Sequence, residues 1–250
     1  MGSGSGVAAI IYLGEHGIEY GGGFGLYMIQ YALHKISIAL FSAIFFVMNW
    51  EFMRNWFGDY AGLLAAGYAL TLVITLGLFL FCCSNRFHHL ICRLLDFANQ
   101  KFHGKFEIMA EEIKRQCMML EDASNHLMKN KKVTTEVIFL CLLKCCFWYG
   151  IPYLLFKGVQ FQGNPALSLS QVLAITSLSV MLAAVIPSPA GIGSTEFVFT
   201  TLFAGIVGTG IAGSASLLYR FGTFVFPFLV GAVVVLVRHF KRKKLSSGSI

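Results

Sequence analysis

One stretch limits the possible folds of this chain more than any other feature. Between Tyr60 and Cys83 there is no charged residue, and eleven residues are Leu, Ile, Phe or Val. A helix of this length extends over about 36 Å, enough to cross the ~30 Å hydrocarbon core of a bilayer with some tilt. Only 12% of the chain is charged, whereas soluble domains carry roughly 25%. The sequence therefore predicts an all-α integral membrane protein and excludes a soluble globular fold.

Further apolar segments predict a polytopic helical bundle; they cover residues 25–47, 133–156, 168–186, 194–207 and 211–237. The second of them contains Lys144. A central lysine costs about 2.5–3.5 kcal/mol, but each Leu, Ile, Phe or Val returns about 0.3–0.6 kcal/mol. Twelve such residues outweigh the lysine, so we expect insertion with Lys144 turned toward protein or water.

The basic residues are concentrated in two places, which predicts the orientation. Nine of the 19 Lys and Arg lie between Arg86 and Lys132, and five lie between Arg238 and Lys244. By the positive-inside rule both regions are cytoplasmic, and the connections near Asn55 and Gln162 lie outside. Within 85–132, two runs of apolar residues at helical spacing predict amphipathic helices. They either lie at the membrane interface or form a hairpin against the membrane domain.

Two Gly-rich stretches suggest an internal repeat. The start contains Gly4 and Gly6 and precedes a helix with His34 and Lys35, and residues 190–198 precede a helix with Tyr219 and Arg220. The two long helices are predicted to cross in opposite directions, which is typical of inverted-topology repeats with broken helices that enclose a substrate site. The whole chain 1–250 is expected to be one membrane domain, with residues 1–50 in the first repeat and residues 168–240 in the second.

The segment 187–196, PSPAGIGSTE, is the most informative motif. Pro187 and Pro189 cannot continue a helix, and Gly191 and Gly193 allow backbone conformations that other residues resist. Ser194 or Thr195 is expected to cap the next helix, with Glu196 in its first turn. A broken helix at membrane depth is tolerated only where it is buried in protein or lines a wet cavity. The motif therefore predicts a re-entrant hairpin or a thinned crossing pair.

Ionisable residues inside the bilayer are the candidate site, since an unpaired charge there is expensive. Arg220 is predicted to meet a lipid phosphate, and Glu196 to meet either a cationic head group or Arg220 itself. The alternative is a structural ion pair. Lys35 and Lys144 are the other lipid-binding candidates, against interfacial snorkelling for Lys35 and a structural role for Lys144. Ser194 and Thr195 complete the candidate set.

Other chemistries find no support in the sequence. The Gly-rich start lacks the GK[ST] of a phosphate-binding loop, and neither HExxH nor GxSxG occurs. We expect no catalytic residues, no cofactor and no metal site, and the seven cysteines are interpreted as small apolar residues. A nucleic-acid partner is excluded, because the basic stretches also contain acidic residues and adjoin apolar helices.

At this point the sequence resembles a known family. PxPxGxGxxE at 187–196, Leu-Tyr-Arg at 218–220 and the following apolar run with Pro227 and Gly231 are similar to the transmembrane domain of lysylphosphatidylglycerol synthetases. This is the flippase-like membrane region of the bacterial multiple peptide resistance factor. Ala190-Gly191 stands where the family has Gly-Gly. The family domain begins with further membrane helices, so we expect the chain to be incomplete at its N-terminus.

The resemblance implies a multi-pass protein of the bacterial inner membrane, with a cytoplasmic C-terminus, that translocates or presents a phospholipid. Lysyl-phosphatidylglycerol is the candidate lipid, and lipid metabolism and antibiotic resistance are the implied context. Two alternatives stay open: the membrane part of a phosphatidylglycerol lysyltransferase without its soluble catalytic domain, and a small-solute or ion transporter. Implied partners are phospholipid, the membrane, and either a second copy or a separate catalytic chain.

Overall fold

The computed structural model describes residues 11–14, 20–83, 130–158, 167–186, 188 and 191–246, with residues 93, 111, 115 and 118. Within this described part every element is helical. The helices are α1 (Tyr20–Met48), α2 (Trp50–Phe57), α3 (Ala61–Cys83), α4 (Lys131–Gly158), α5 (Leu169–Ala183), α6 (Ser194–Val207), α7 (Thr209–Arg220) and α8 (Phe226–Ser246), with a 3-10 turn at Gly58–Tyr60 and a π-helical turn at Phe221–Val225. Gly4, Gly6 and nearly all of the predicted amphipathic insert lie outside the described residues.

The prediction of an all-α membrane protein is confirmed. In the described part, three helices are long and apolar enough to cross a membrane: Gly25–Met48, Lys131–Gly158 and Thr209–Leu236. Shorter apolar helices are Gly62–Gly77, Leu169–Ala183 and Ser194–Val207. The bounds of the predicted segments and of the observed helices agree closely, and α6 has the predicted bounds of 194–207. The segment 60–83 forms the helix α3, but its described apolar part, Gly62–Gly77, is among the shorter helices, so its crossing of the membrane stays a prediction.

Helix α2 is a feature that the sequence interpretation missed, since only a short connection was expected near Asn55. The eight residues of α2 bury Met53 and expose Glu51 and Arg54. Trp50 and Trp56 are exposed, and tryptophan is enriched where membrane meets water. The helix therefore has the composition of a short interfacial segment after the first span.

Helix α5 is the central element of the bundle and packs against α1, α3, α4 and α6. Eight consecutive residues, from Val172 to Ser179, are buried. Its N-terminus is capped by Ser168, whose hydroxyl accepts a hydrogen bond from the Gln171 N–H while the Gln171 side chain accepts from the Ser168 N–H. Such a reciprocal cap satisfies backbone donors that a helix start leaves unpaired.

The directions of the helices follow from contacts between them. Asn49, at the end of α1, is hydrogen bonded to Ser170, at the start of α5, so these two helices are antiparallel. α5 and α6 form a hairpin, and a turn at Gly208 leads from α6 into the antiparallel α7. α7 therefore runs opposite to α1, as an inverted repeat requires; the repeat itself stays a prediction because its Gly-rich start is not described.

The last span is longer than predicted and is not a regular α-helix throughout. It begins at Thr209 and contains the π-helical turn Phe221–Val225, where the Phe226 N–H bonds to the Phe221 carbonyl. Pro227 follows directly. A proline within a helix has no N–H to donate and its ring clashes with the carbonyl four residues earlier, and a π-turn relieves this conflict by widening the helix locally.

Candidate functional site

The predicted break between two helices is present. α5 ends at Ala183 and α6 begins at Ser194; the described residues between them, 184–186, 188 and 191–193, are here called the hairpin tip. Gly191 and Gly193 have φ angles of +70° and +83°. Residues with a side chain rarely adopt such angles, so the two glycines are required by the backbone. Pro187 and Pro189 lie outside the described residues.

The expectation that Ser194 or Thr195 caps α6 is wrong. Gly193 occupies the cap position, and the Glu196 carboxylate accepts a hydrogen bond from the Gly193 N–H at 2.8 Å. The Ser194 hydroxyl is buried and lies 2.7 Å from the Ser188 hydroxyl across the tip. Because the tip turns back tightly, Ser194 is directed across it and the longer Glu196 side chain satisfies the helix start instead.

Glu196 and Arg220 form an ion pair that joins the start of α6 to the end of α7. The Arg220 Nε lies 3.1 Å from the Glu196 Oε1, and the side chains are 17% and 23% exposed, respectively. The guanidinium also lies 4.6 Å from the centre of the Phe224 ring. The sequence interpretation left two partners open for Glu196, a cationic head group or Arg220, and the structure contains the second arrangement.

The surroundings of this pair are tightly packed. The Tyr219 ring stacks on Phe199 with centroids 5.5 Å apart, and Phe199 contacts Phe203 at 4.5 Å. Phe199 and Phe203 are completely buried. The Ser216 hydroxyl donates to the Glu196 carbonyl at 3.4 Å. α6 and α7 are thus held together by aromatic packing on one side and by the ion pair at the tip.

The tip also contacts Arg220 directly. A Cβ atom placed on Gly191 would lie 3.1 Å from the Thr195 Oγ1 and 3.5 Å from the Arg220 Nη2. Glycine at this position therefore serves two purposes: it permits the positive φ angle and it leaves room for the Thr195 hydroxyl. Thr195 is placed within the site by the same turn.

The tip lies near the middle of the bundle. α5 begins beside the end of α1 and contains 15 residues, so it extends about 22 Å at 1.5 Å per residue. The end of α1 lies beside the start of α5, so the same distance measured along α1 from Met48 toward its N-terminus reaches the level of the tip. The residues of α1 at this level are His34 and Lys35. Neither α5 nor α6 is long enough to cross ~30 Å of hydrocarbon, and in a bilayer the hairpin is expected to be re-entrant.

Lys35 and Lys144 lie on other helices at a similar level. Lys35 is near the centre of α1, and Lys144 is near the centre of α4. The Lys35 ammonium lies 5.6 Å from the centre of the Tyr31 ring, and that of Lys144 lies 4.8 Å from the centre of the Trp148 ring. Lys35 and Lys144 thus lie at a similar level of two packed helices, α1 and α4, whereas the Glu196–Arg220 pair lies between α6 and α7.

His34 is the member of this level that the sequence interpretation did not include among the site residues. The charges of Lys35 and Lys144 both act on its imidazole. Only the position of His34 beside Lys35 in the sequence pointed to it. Among the described residues, no group of His, Cys, Asp and Glu could hold a metal ion.

A shallow pocket of about 280 Å³ lies elsewhere, at the junction of α1 and α2, where residues 47–52 line it. It is at the opposite end of α5 from the hairpin tip. Its walls consist of exposed interfacial side chains, and the candidate site residues do not line it. The enclosed chamber between two halves stays a prediction.

These features define a class: a multi-pass, all-α membrane protein in which an ion pair lies beside the tip of a short helical hairpin. The family model described as the lysylphosphatidylglycerol synthase TM region matches residues 1–231. The chain belongs to this family, and the resemblance stated from the motifs is confirmed. No curated protein and no solved structure matches the chain significantly.

Proposed function

We propose that this chain is a flippase-like protein that translocates or presents a phospholipid, with lysyl-phosphatidylglycerol as the candidate lipid. The observation that carries the proposal is the depth of its ionisable residues. Lys35 and Lys144 lie near the centres of α1 and α4, and Glu196 and Arg220 meet beside the hairpin tip, between the start of α6 and the end of α7. Charges at this depth are costly and are typical of substrate pathways. A phospholipid head group is a polar, charged object that must pass such a depth when it changes leaflet.

The broken hairpin supports this proposal. Helix ends at the tip present backbone groups that a continuous helix would satisfy internally. In transporters with discontinuous helices, such ends contact the charged parts of the substrate near the midplane. The lipid tails need only an apolar surface, and the exposed faces of α3, α4 and α8 supply it with Leu, Phe and Val side chains.

The membership of the family favours lipid handling over the alternatives, because the family is named for a lipid synthase region. The second candidate function is that of the membrane part of a lysyltransferase. It is favoured by the same family membership. In that case the embedded charges would present the lipid to a soluble catalytic domain, and movement between leaflets would not be required. We place the protein in the bacterial inner membrane with its C-terminus in the cytoplasm, as the distribution of basic residues predicts.

Lipid translocation is tested in proteoliposomes that contain the purified chain and a fluorescent phosphatidylglycerol or lysyl-phosphatidylglycerol. Dithionite quenches only the probe in the outer leaflet, so a translocating protein raises the quenched fraction above that of protein-free liposomes. We expect Glu196→Gln and Arg220→Gln each to slow this exchange, while Glu51→Gln, in the exposed α2, leaves it unchanged. An unchanged quenched fraction with the wild-type chain, for both lipids, would contradict translocation.

The second candidate predicts a different result. If the chain only presents lipid, the proteoliposomes show no exchange. Co-expression with a soluble lysyltransferase domain then raises the lysyl-phosphatidylglycerol content of the cells. Lipid extraction and mass spectrometry measure this content, and the same Glu196 and Arg220 variants should reduce it.

A further inference from the structure

Three cationic or ionisable side chains of the packed helices α1 and α4 lie at one level, with both lysines close enough to act on the histidine: His34, Lys35 and Lys144. The charges of both lysines act on the His34 imidazole. The two helices pack together, and the edge-to-face contact of Phe41 with Tyr149, with centroids 5.6 Å apart, sets their register. The two helices run in the same direction. About one and a half turns toward the N-terminus from this contact lie Lys35 on α1 and Lys144 on α4, so the two lysines are at the same level. We call these three residues the α1–α4 cluster.

The depth of the two lysines argues against snorkelling. Lys35 and Lys144 lie near the centres of helices with 29 and 28 residues. Each is therefore about 20 Å along the helix from either end. A lysine side chain is much shorter than this distance, and its ammonium group cannot reach the interface from the helix centre. The charges must be compensated within the bundle.

The described residues supply little compensation to these lysines. Neither Lys35 nor Lys144 is ion-paired with a carboxylate in the described part of the chain; the ion pair found at this level joins Glu196 to Arg220. The faces of Tyr31 and Trp148 contact the two ammonium groups, but a ring quadrupole compensates a full charge only weakly. Counting the described residues alone, the α1–α4 cluster thus carries an excess of positive charge.

The Glu196 carboxylate is already engaged and does not neutralise the cluster. Its Oε1 is paired with Arg220, and its Oε2 accepts from the Gly193 N–H. Arg220, in turn, lies against Glu196, Phe224 and the hairpin tip. These contacts make the pair a connection between α6 and α7. The cations that can bind an anion at this level are therefore those of the α1–α4 cluster.

We infer that His34, Lys35 and Lys144 form an anion subsite that binds the phosphate group of a phosphodiester, separate from the Glu196–Arg220 pair. Two ammonium groups and an imidazole N–H supply several donors to phosphate oxygens, and such charge-assisted hydrogen bonds are the strong ones. This inference rests on the proposed function and specifies which part of the lipid the α1–α4 cluster recognises.

The test compares two fluorescent lipids with the same acyl chains: phosphatidylglycerol, and diacylglycerol, which lacks the phosphate and the glycerol attached to it. Each is titrated into the purified full chain in detergent micelles. We expect Lys35→Met and Lys144→Met each to reduce the preference for phosphatidylglycerol by about tenfold, the effect of one charge-assisted hydrogen bond. Diacylglycerol binding should not change.

Lys157→Met is the matched control. Lys157 belongs to the same helix as Lys144 and also faces an aromatic ring, with its ammonium 5.3 Å from the centre of Tyr153, but it is exposed near the helix end. We expect it to retain the wild-type lipid preference. Lys144→Arg, which conserves the charge, should also retain most of it, and thermal unfolding of each variant verifies that the fold is intact.

A competition experiment distinguishes free inorganic phosphate from the phosphate of a lipid head group as the bound anion. If excess inorganic phosphate displaces phosphatidylglycerol from the wild-type chain but diacylglycerol stays bound, the subsite accepts free phosphate. If it does not, the subsite requires the lipid. Both results retain an anion subsite in the α1–α4 cluster.

Two outcomes would overturn the inference, and they differ in what they say about the proposed function. If Lys35→Met and Lys144→Met keep the wild-type preference for phosphatidylglycerol, the subsite is wrong but lipid handling stands. If the folded wild-type chain binds neither lipid, the proposed function fails and the subsite fails with it.

Discussion

The Nε atom of Arg220 lies 3.1 Å from the Oε1 atom of Glu196, and this contact joins two helices at the hairpin tip. Glu196 simultaneously caps its own helix through the Gly193 N–H. One carboxylate therefore connects the backbone of the tip to α7. Loss of the ion pair should therefore reduce the stability of the hairpin and change the position of the tip.

Substitution of either partner alone should lower the unfolding free energy by more than the ion pair contributes to it. In Glu196→Gln the largely buried arginine loses its carboxylate partner, and in Arg220→Gln the carboxylate loses its arginine, so each leaves an uncompensated charge. We expect a double-mutant cycle to give a coupling free energy of about 1–3 kcal/mol. Unfolding in mixed micelles, with Glu51→Gln as an exposed control, measures it; additive effects of the two substitutions would show that the pair is not coupled.

The two tip glycines should differ in their tolerance of alanine. Gly193→Ala meets no atom within 4 Å, so its cost is the positive φ angle alone, about 1–2 kcal/mol. Gly191→Ala meets the same strain and also crowds the Thr195 hydroxyl, which would lie 3.1 Å from the new Cβ, so its unfolding free energy should fall further.

Gly205→Ala is the control for both glycine variants, since Gly205 is within α6 and a Cβ there meets no atom within 4 Å. Alanine favours a helix over glycine by up to about 1 kcal/mol, and this variant should be as stable as the wild type or more stable. Equal thermal stability of Gly191→Ala and Gly193→Ala would contradict the crowding at Gly191.

Asn49 should anchor the start of the hairpin. Its side-chain amide donates to the Phe45 carbonyl at 2.8 Å and to the Ser170 carbonyl at 3.3 Å, and it accepts from the Ser170 hydroxyl at 3.1 Å. We expect Asn49→Ala to reduce the unfolding free energy by about 1 kcal/mol. Asn55→Ala, at an exposed position of α2, should have no effect on chemical unfolding, and a similar loss in both variants would argue against an anchor.

The orientation is tested by labelling single cysteines in intact cells. Asn55→Cys, in a chain whose native cysteines are replaced by Ser, should react with a membrane-impermeant thiol reagent, because the positive-inside rule places this connection outside. Ser247→Cys, after the basic cluster, should react only once the cells are made permeable. The reverse pattern would invert the predicted topology.

Much of the fold was predictable because membrane insertion depends on local composition. The bounds of α6 and the positions of α1, α3, α4 and α5 followed from apolar length. Helix α2 was not predicted, since eight residues are too few for a hydropathy signal. Its spacing of Trp50, Met53 and Trp56 was the available clue. The π-turn before Pro227 was also missed, because a widened turn depends on how the proline conflict is resolved.

The sequence by itself determined that the chain is an all-α membrane protein with charged residues in its apolar segments and a break before α6, since these properties are local and each residue carries its own transfer cost. It did not determine which charges meet. Only the tertiary structure decided that Glu196 bonds to Arg220 and Gly193, and that Lys35 and Lys144 come near His34 on packed helices. The reason is that contacts between helices depend on their packing and register, which no single segment encodes.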